Sequence, residues 1–136
     1  MRRRVVEARV GRLATVTPEG SPHVVPCCYA LDLALDGDTV YSAVDGKPKS
    51  TPQLQRLDNI RRHPATSLLV DHYDDDWATL WWIRLDGTAR VLEAGDTPEH
   101  AHALDLLAEK YEQYRDQRPT DAVVALDVRV WRAWAA

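Results

Sequence analysis

Apolar and polar side chains alternate along residues 12–17 with the period of two that is typical of a half-buried strand. Pro18-Glu-Gly20 follows, with the proline and glycine that tight turns prefer, so the pattern predicts a hairpin whose second strand covers residues 24–31. Pro26 lies inside that strand and has no amide hydrogen, which marks an edge, a bulge or a place where something other than a strand approaches. Asp36-Gly-Asp38 is a second hairpin signal. Further strands are predicted over residues 39–44, 66–70, 80–93 and 122–131, the third either continuous or broken at Asp86-Gly87.

Helical spacing replaces this alternation in three segments. Residues 2–9 predict a short helix that directs Val5 and Val6 inward. Residues 52–63 place Leu54, Leu57 and Ile60 on one apolar stripe. Thr97-Pro98 opens a third helix, in which four apolar side chains recur at helical spacing: Leu104, Leu107, Ala108 and Tyr111. Because hairpins dominate the connections, we expect one domain over residues 1–136 that is mainly β with a few helices, its mainly antiparallel sheet closed as a barrel.

The overall charge is −4 at pH 7, which argues against the broad basic surface that nucleic-acid-binding proteins use. The longest apolar runs are too short to span a bilayer, so no membrane partner is expected. The charge is nevertheless uneven, because residues 47–62 hold five cations and one anion: Lys47, Lys49, Arg56, Arg61 and Arg62 against Asp58. A local positive patch in an acidic protein favours a small anionic ligand.

The two cysteines, Cys27 and Cys28, are adjacent. Neighbouring side chains of a strand point to opposite faces, so a disulfide between them would be strained. Two thiols of this kind fit a reducing compartment, and we expect a cytoplasmic location. No metal site is predicted, since the chain has no C-x-x-C pair and its five histidines are scattered.

The sequence Lys47-Pro-Lys-Ser-Thr51 stands directly before the second predicted helix. Backbone N–H groups at a helix start form a ready anion site, and two lysines with two hydroxyls add charge-assisted hydrogen bonds suited to a phosphate. The alternative is an ordinary capped helix start with solvated lysines, each of which contributes little.

Five tryptophans occur in a chain without phenylalanine. They either supply core bulk or form a dimer interface or a wall for a planar ring. Trp81 and Trp82 point to opposite faces of one predicted strand, so at least one should meet a partner or a ligand. His23 is either a turn residue or a ligand contact.

Several segments resemble the pyridoxamine-phosphate-oxidase-like flavin reductases. They are Arg12-Leu-Ala-Thr-Val-Thr-Pro-Glu-Gly-Ser-Pro-His-Val-Val-Pro26, Asp45-Gly-Lys-Pro-Lys-Ser-Thr51 and Asn59-Ile-Arg-Arg-His-Pro-Ala-Thr-Ser-Leu-Leu-Val70. Tyr73-Asp-Asp-Asp-Trp77 and Leu80-Trp-Trp-Ile-Arg-Leu-Asp-Gly87 are similar to an actinobacterial subgroup of enzymes that depend on the deazaflavin F420. The resemblance covers nearly the whole chain and implies a split β-barrel homodimer with two cofactor sites, each built from both subunits.

By position, the resemblance implies that the strand carrying Val24, Val25, Pro26 and Cys27 borders the flavin-type ring. It assigns Lys47, Lys49, Ser50 and Thr51 to the phosphate, and Trp82 to a position that reaches the cofactor from the other subunit. At both ends of the second strand the vitamin B6 oxidases carry basic residues, whereas this chain has His23 and Cys28. The difference argues against oxidase activity on vitamin B6 and weakens the case for FMN.

The function implied is an F420-dependent oxidoreductase that transfers a hydride between the cofactor and a small unsaturated substrate. Two alternatives remain, an FMN-binding reductase on the same barrel and a non-catalytic carrier of a flavin or deazaflavin. No catalytic acid or base is assigned, and Tyr29, Tyr41 and Tyr73 are the candidate proton donors.

Overall fold

The computed structural model of the protein describes residues 1–34, 37–44, 51–95 and 97–136, without the side chains of residues 51–54. Within these ranges the strands are β1 (Gly11–Val16), β2 (Pro22–Cys27), β3 (Ala30–Ala34), β4 (Gly37–Ala43), β5 (Ala65–His72), β6 (Trp81–Leu92) and β7 (Val123–Ala135). The helices in the same ranges are α1 (Arg2–Glu7), α2 (Thr51–Arg62), α3 (Pro98–Lys110) and α4 (Glu112–Asp116), with a 3₁₀ turn at Trp77–Thr79. None of these helices has the length and apolarity needed to cross a membrane.

The seven strands pair antiparallel in the order β2-β1-β5-β6-β7-β4-β3. The two outermost strands of this sheet, β2 and β3, are consecutive in the chain and are separated only by Cys28 and Tyr29. Three residue steps span at most about 11 Å, whereas the edges of a flat seven-stranded sheet would lie roughly 29 Å apart. The sheet must therefore curl until its edges approach, which gives the predicted barrel, open between β2 and β3.

The strand predicted over residues 80–93 is continuous, and its Asp86-Gly87 signal lies where β6 approaches β7 closely. The pairing shifts register between Asp86 and Gly87, the signature of a β-bulge. A Cβ added at Gly87 would lie 1.9 Å from the carbonyl oxygen of Asp127, so only glycine fits there. The Asp86-Gly87 signal thus marks a bulge within one strand, with no break in it.

The barrel core is formed by apolar side chains from most of the strands, among them Leu13, Leu68, Val70, Leu85 and Leu126. Helix α1 covers one end of the barrel, where Val5 is fully buried and its carbonyl oxygen accepts a hydrogen bond from the Tyr29 hydroxyl. The prediction for Val6 was wrong, because this side chain is 41% exposed. A helix of six residues has room for one inward valine, and here that residue is Val5.

Several elements differ from the predictions. The strand predicted over residues 24–31 is interrupted after Cys27, where the Tyr29 amide donates to the Tyr111 hydroxyl at 3.1 Å instead of joining a ladder. The last strand continues to Ala135, and α4 had no sequence signal. The start of α3 is as predicted, with the Thr97 hydroxyl accepting a hydrogen bond from the His100 amide at 3.1 Å.

Candidate functional site

Strand β2 is an edge of the sheet, so one side of its backbone has no strand partner. Its side chains alternate between faces: Val24 and Pro26 are exposed, while Cys27 is buried in the core. Val25 packs against that core, and His23 is half-buried with an Nδ1 atom that makes no hydrogen bond. Because Pro26 has no amide hydrogen, a further strand cannot add a full ladder here.

A cavity of about 230 Å³ opens at the carboxyl end of β2. Its lining consists of residues from five parts of the chain: Val10, Pro26, Cys27, Cys28, Ala43, Arg56 and Tyr114. No carboxylate is among these lining residues. Ala43 ends β4, shortly before the segment with the predicted phosphate-binding residues.

The predictions for Lys47, Lys49 and Ser50 lie outside the described residues. Thr51 begins α2 as expected, and its side chain also lies outside the description. Pro26 and Cys27 are therefore the predicted cofactor residues that line the cavity.

Arg56 is the charged residue in the cavity wall. Its side chain is only 7% exposed, and its Nε atom is buried without a hydrogen-bond partner. Arg56 forms no ion pair with any residue in the described ranges. Because a buried charge is costly unless it is paired, this guanidinium points to an anionic ligand.

The sequence contained a signal for Arg56 beyond its charge. It stands three residues before Asn59 and four before Ile60, so it belongs to the stripe of α2 that faces inward. Asn59 and Ile60 are both buried, and the Asn59 amide donates to the Thr15 hydroxyl at 3.0 Å. Val10, Ala43 and Tyr114 carried no comparable signal, since only the fold brings them together.

A second cation, Lys110, lies next to the same end of β2. Its ammonium nitrogen is 3.9 Å from the centre of the Tyr29 ring, and it is buried without a hydrogen-bond partner. Burial, together with the nearby charge of Arg9, lowers the pKa of Lys110 to about 8. Burial also raises the pKa of the Cys27 thiol, against the opposing influence of Ser42, Arg56 and Lys110.

Two of the candidate proton donors are engaged elsewhere. The Tyr29 hydroxyl donates to the carbonyl oxygen of Val5, and the Tyr41 hydroxyl donates to Glu99 at 2.8 Å. Burial raises the pKa of both phenols above the ordinary value. Tyr73 is 60% exposed and lies in a different groove.

That groove, about 370 Å³ in volume, contains Trp82 and is lined by Leu69, Asp71, Tyr73, Trp82 and Arg84. The sheet register joins it to β2, because Arg84 pairs with Leu69, Leu69 with Arg12 and Arg12 with Pro26. Three strand spacings correspond to roughly 14 Å. Trp82 is thus on the outer face of the sheet, well away from the cavity at the end of β2.

A family model described as pyridoxamine 5'-phosphate oxidase matches residues 1–135. No curated protein matches the chain. Among solved structures, the chain is similar to a conserved hypothetical protein of Mycobacterium tuberculosis, at 26% identity and a TM-score of 0.69, over 96% of this chain and 79% of that one.

Two further structures are similar at lower identity. One is an FAD-binding protein of Mesorhizobium loti, at 23% identity and a TM-score of 0.64, over 97% of this chain and 87% of that one. The other is a heme storage protein of Vibrio cholerae, at 15% identity and a TM-score of 0.69, over 98% and 90%. At these identities they support the fold alone. Since the family model spans all but the last residue, the chain belongs to the pyridoxamine 5'-phosphate oxidase family.

Proposed function

We propose that this chain binds a phosphate-bearing, flavin-type cofactor at the carboxyl end of β2 and uses it to transfer a hydride to a small unsaturated substrate. The observation that carries the proposal is Arg56, a buried guanidinium without a described partner in a cavity without a described carboxylate. Charge-assisted hydrogen bonds from such a group suit a phosphate oxygen. Binding of a flavin by the structural neighbour from Mesorhizobium loti is consistent with this assignment.

The residues of this chain would hold and orient the cofactor. Arg56 binds the phosphate, and the unpaired edge of β2 offers backbone hydrogen-bonding groups to the polar rim of a planar ring. Pro26 keeps another strand from occupying that edge. When bound, the cofactor supplies the hydride chemistry, and the protein supplies position and surroundings.

The choice between F420 and FMN depends on where the positive charges lie. A diffuse basic stretch through Arg56, Arg61 and Arg62 would suit the long anionic tail of F420. In the structure, Arg61 pairs with Glu93 at 2.7 Å and Arg62 with Asp58 at 3.1 Å, both exposed. Of these three arginines, Arg56 is the one that lines the described cavity. This compact arrangement favours a terminal phosphate, so we place FMN beside F420 as an equal candidate.

A homodimer is part of this proposal, and the position of Trp82 supports it. If Trp82 and β2 contribute to one cofactor site, the tryptophan must come from a second copy, because roughly 14 Å of sheet separates them within one subunit. The outer face also exposes Val24, Val130 and Trp134, at 59%, 41% and 45%. A two-fold interface of standard size, on the order of 1,600 Å², would cover such a face.

Sedimentation at micromolar concentration tests the dimer, which is expected to dissociate when Trp134 and Val130 are both replaced by aspartate. A parent protein that sediments only as a monomer would exclude the shared site.

The cofactor proposal is tested by the absorbance spectrum and mass of the group that co-purifies, followed by fluorescence titration with FMN, riboflavin and F420. Arg56→Met should weaken binding of FMN and F420 by about 100-fold, while riboflavin, which has no phosphate, should bind as before. The matched control is Arg61→Met, which removes the same charge from a surface pair on the same helix. Equal losses in both variants, or a Soret band without a flavin or deazaflavin spectrum, would refute the proposal.

Catalysis is distinguished from simple carriage by a turnover experiment. With the cofactor reduced, an oxidoreductase should reoxidise it faster in the presence of an unsaturated substrate than in buffer. If the reduced cofactor is reoxidised at the same rate with every substrate class as in buffer, the protein is a cofactor carrier and not an oxidoreductase.

A further inference from the structure

Cys28 differs in its surroundings from Cys27, the other cysteine of the chain. Both are free thiols, but Cys27 is buried in the barrel core whereas Cys28 is exposed. Cysteine is among the residue types most often buried in proteins. A thiol buried in the core is inert, while an exposed one is open to reagents. Core packing therefore accounts for Cys27 and does not account for Cys28.

The backbone holds Cys28 in place through the peptide group that joins it to Tyr29. The carbonyl oxygen of Cys28 accepts a hydrogen bond from the Ser42 hydroxyl at 2.8 Å. The Tyr29 amide donates to the Tyr111 hydroxyl at 3.1 Å. Ser42, Tyr29 and Tyr111 are all buried. Cys28 is thus anchored by buried neighbours at the point where β2 ends and the chain turns towards β3.

The cavity at the end of β2 gives this thiol a charged neighbour. Cys28 and Arg56 line the same cavity of about 230 Å³, and no carboxylate is among its described lining residues. Arg56 is only 7% exposed, and its Nε atom has no hydrogen-bond partner. An accessible thiol in electropositive surroundings is typical of cysteines that react. A reagent that reaches Cys28 and carries a carboxylate would also meet an unpaired guanidinium.

We propose that Cys28 is a modification site for a low-molecular-weight thiol that carries carboxylates, a class of which glutathione is the probe. The Cys28 thiolate attacks one sulfur of the symmetrical disulfide of that thiol, so a new S–S bond forms as the original one breaks. The other half leaves as a thiolate and takes up the proton that Cys28 lost. The Cys28 sulfur is oxidised and the released sulfur is reduced. Arg56 binds a carboxylate of the half that stays attached.

The modification would also control access to the cavity, a consequence that rests on the proposed function. A carboxylate attached through Cys28 competes with a phosphate for Arg56. FMN and F420 should therefore bind the modified protein about tenfold more weakly, and reduction by dithiothreitol should restore the affinity. Cys28→Ser, treated in the same way, should bind each cofactor equally before and after treatment. A modified protein that binds both cofactors as the reduced protein does refutes this competition.

The first test follows adduct formation by mass spectrometry in the protein without a cofactor. Oxidised glutathione, neutral bis(2-hydroxyethyl) disulfide and cationic cystamine are compared, and each rate is divided by the rate of the same disulfide with a short neutral cysteine peptide. This ratio should be about tenfold higher for oxidised glutathione than for the neutral disulfide, and lowest for cystamine. The differences should shrink at about 1 M salt, where charges are screened. Equal ratios for the three disulfides overturn the inference.

The second test uses three variants to locate the modification. Cys28→Ser should form no adduct in the same time, since Cys27, the other thiol, is buried. Arg56→Met should lose the preference for oxidised glutathione and keep the parent rate with the neutral disulfide. The matched control, Arg61→Met, removes a charge that pairs with Glu93 at the surface, and it should react as the parent does. An adduct on Cys27, or a preference that is unchanged in Arg56→Met, overturns the inference.

The outcomes separate this inference from the proposed function. Binding of FMN or F420 that depends on Arg56, in a protein without a preference for oxidised glutathione, refutes the modification site and keeps the cofactor site. A preference that depends on Arg56, in a protein that binds neither cofactor, refutes the proposed function and keeps the modification site.

Discussion

Two arginines of this protein, Arg90 and Arg56, have opposite surroundings. Arg90 lies on the surface and donates to both carboxylates beside it, to Asp127 at 2.7 and 2.9 Å and to Glu99 at 2.9 and 3.0 Å. These bonds connect α3 to β6 and β7 and raise the pKa of Arg90 above its ordinary value. Arg56 is buried and makes no such bond through Nε.

The comparison distinguishes Arg90, which stabilises the fold, from Arg56, which is available to bind a ligand. Around Arg90, each charged side chain has a partner of opposite charge within the chain, and the Tyr41 hydroxyl adds a hydrogen bond to Glu99. At the end of β2, Arg56 faces a cavity whose described lining has no carboxylate. Burying unpaired charge lowers stability, and the cost would be offset when an anion binds.

The most direct test of this comparison is to add a carboxylate to the cavity. Cys28→Asp would add a negative charge to the cavity that Arg56 also lines, so FMN binding should weaken by more than about 100-fold. The free energy of unfolding should rise by about 1 kcal/mol, because Arg56 gains a partner. Titration and urea denaturation measure the two effects. The isosteric control Cys28→Asn should change neither by much, and an aspartate variant that binds FMN normally would show that the cavity does not take the phosphate.

The opposite change removes the cation from the region around Glu99 and Asp127. Arg90→Met should lower the free energy of unfolding by about 1 kcal/mol at pH 7, a value kept small because the three side chains are partly exposed, since Glu99 and Asp127 then lie side by side without a cation. FMN affinity should stay as it was. Since Arg90 lowers the pKa of Glu99, this stabilisation is present above the ordinary glutamate pKa and is lost as the pH falls through the lower folded value. The stability difference between variant and parent should narrow at low pH, and one that stays constant to pH 3 would exclude this charge pairing.

The smallest effect is expected from Lys110 in the protein without ligand. Lys110→Met should raise the free energy of unfolding by about 1 kcal/mol at pH 7, a value discounted because the side chain is only half-buried. The folded pKa is about 8 and the ordinary value 10.5. The unfolded chain therefore holds a proton between these values that the folded chain has released, and the parent gains stability as the pH rises through that range. The advantage of the variant should disappear near pH 10.5. A variant less stable than the parent at pH 7 would mean that the contact with Tyr29 outweighs the desolvation of the charge.

Most of the fold could be predicted from the sequence, because turns and helix caps depend on residues that are close together in the chain. Gly20 adopts a φ of 84° in the first hairpin turn, and Thr97 caps α3, both as the residue types predict. The end of β2 depends instead on distant partners. Tyr29 leaves the ladder because its amide meets the Tyr111 hydroxyl, 82 residues away, and no local pattern contains that contact.

The site was less predictable for the same reason. The alternation in β2 indicated that Pro26 borders something other than a strand, and the charge of residues 47–62 indicated an anion. The pattern could not show that Arg61 and Arg62 would find surface partners while Arg56 would not. Lys110 is isolated in sequence from every other lysine, and only the packing of α3 against β3 and β4 brings its ammonium group to the Tyr29 ring.

The hydroxyl of Tyr111 has a consequence for the order in which the site forms. It accepts from the Tyr29 amide and lies 3.0 and 3.1 Å from the carbonyl oxygens of Arg9 and Tyr29, to either of which it can donate. The contact with Arg9 closes a loop of 102 residues, and loops of this length carry a large entropic cost before their contacts form. During synthesis the first hairpin leaves the ribosome long before α3 and α4 exist. The cavity is therefore among the last features to be assembled, and a bound cofactor can stabilise only a chain that has already finished folding.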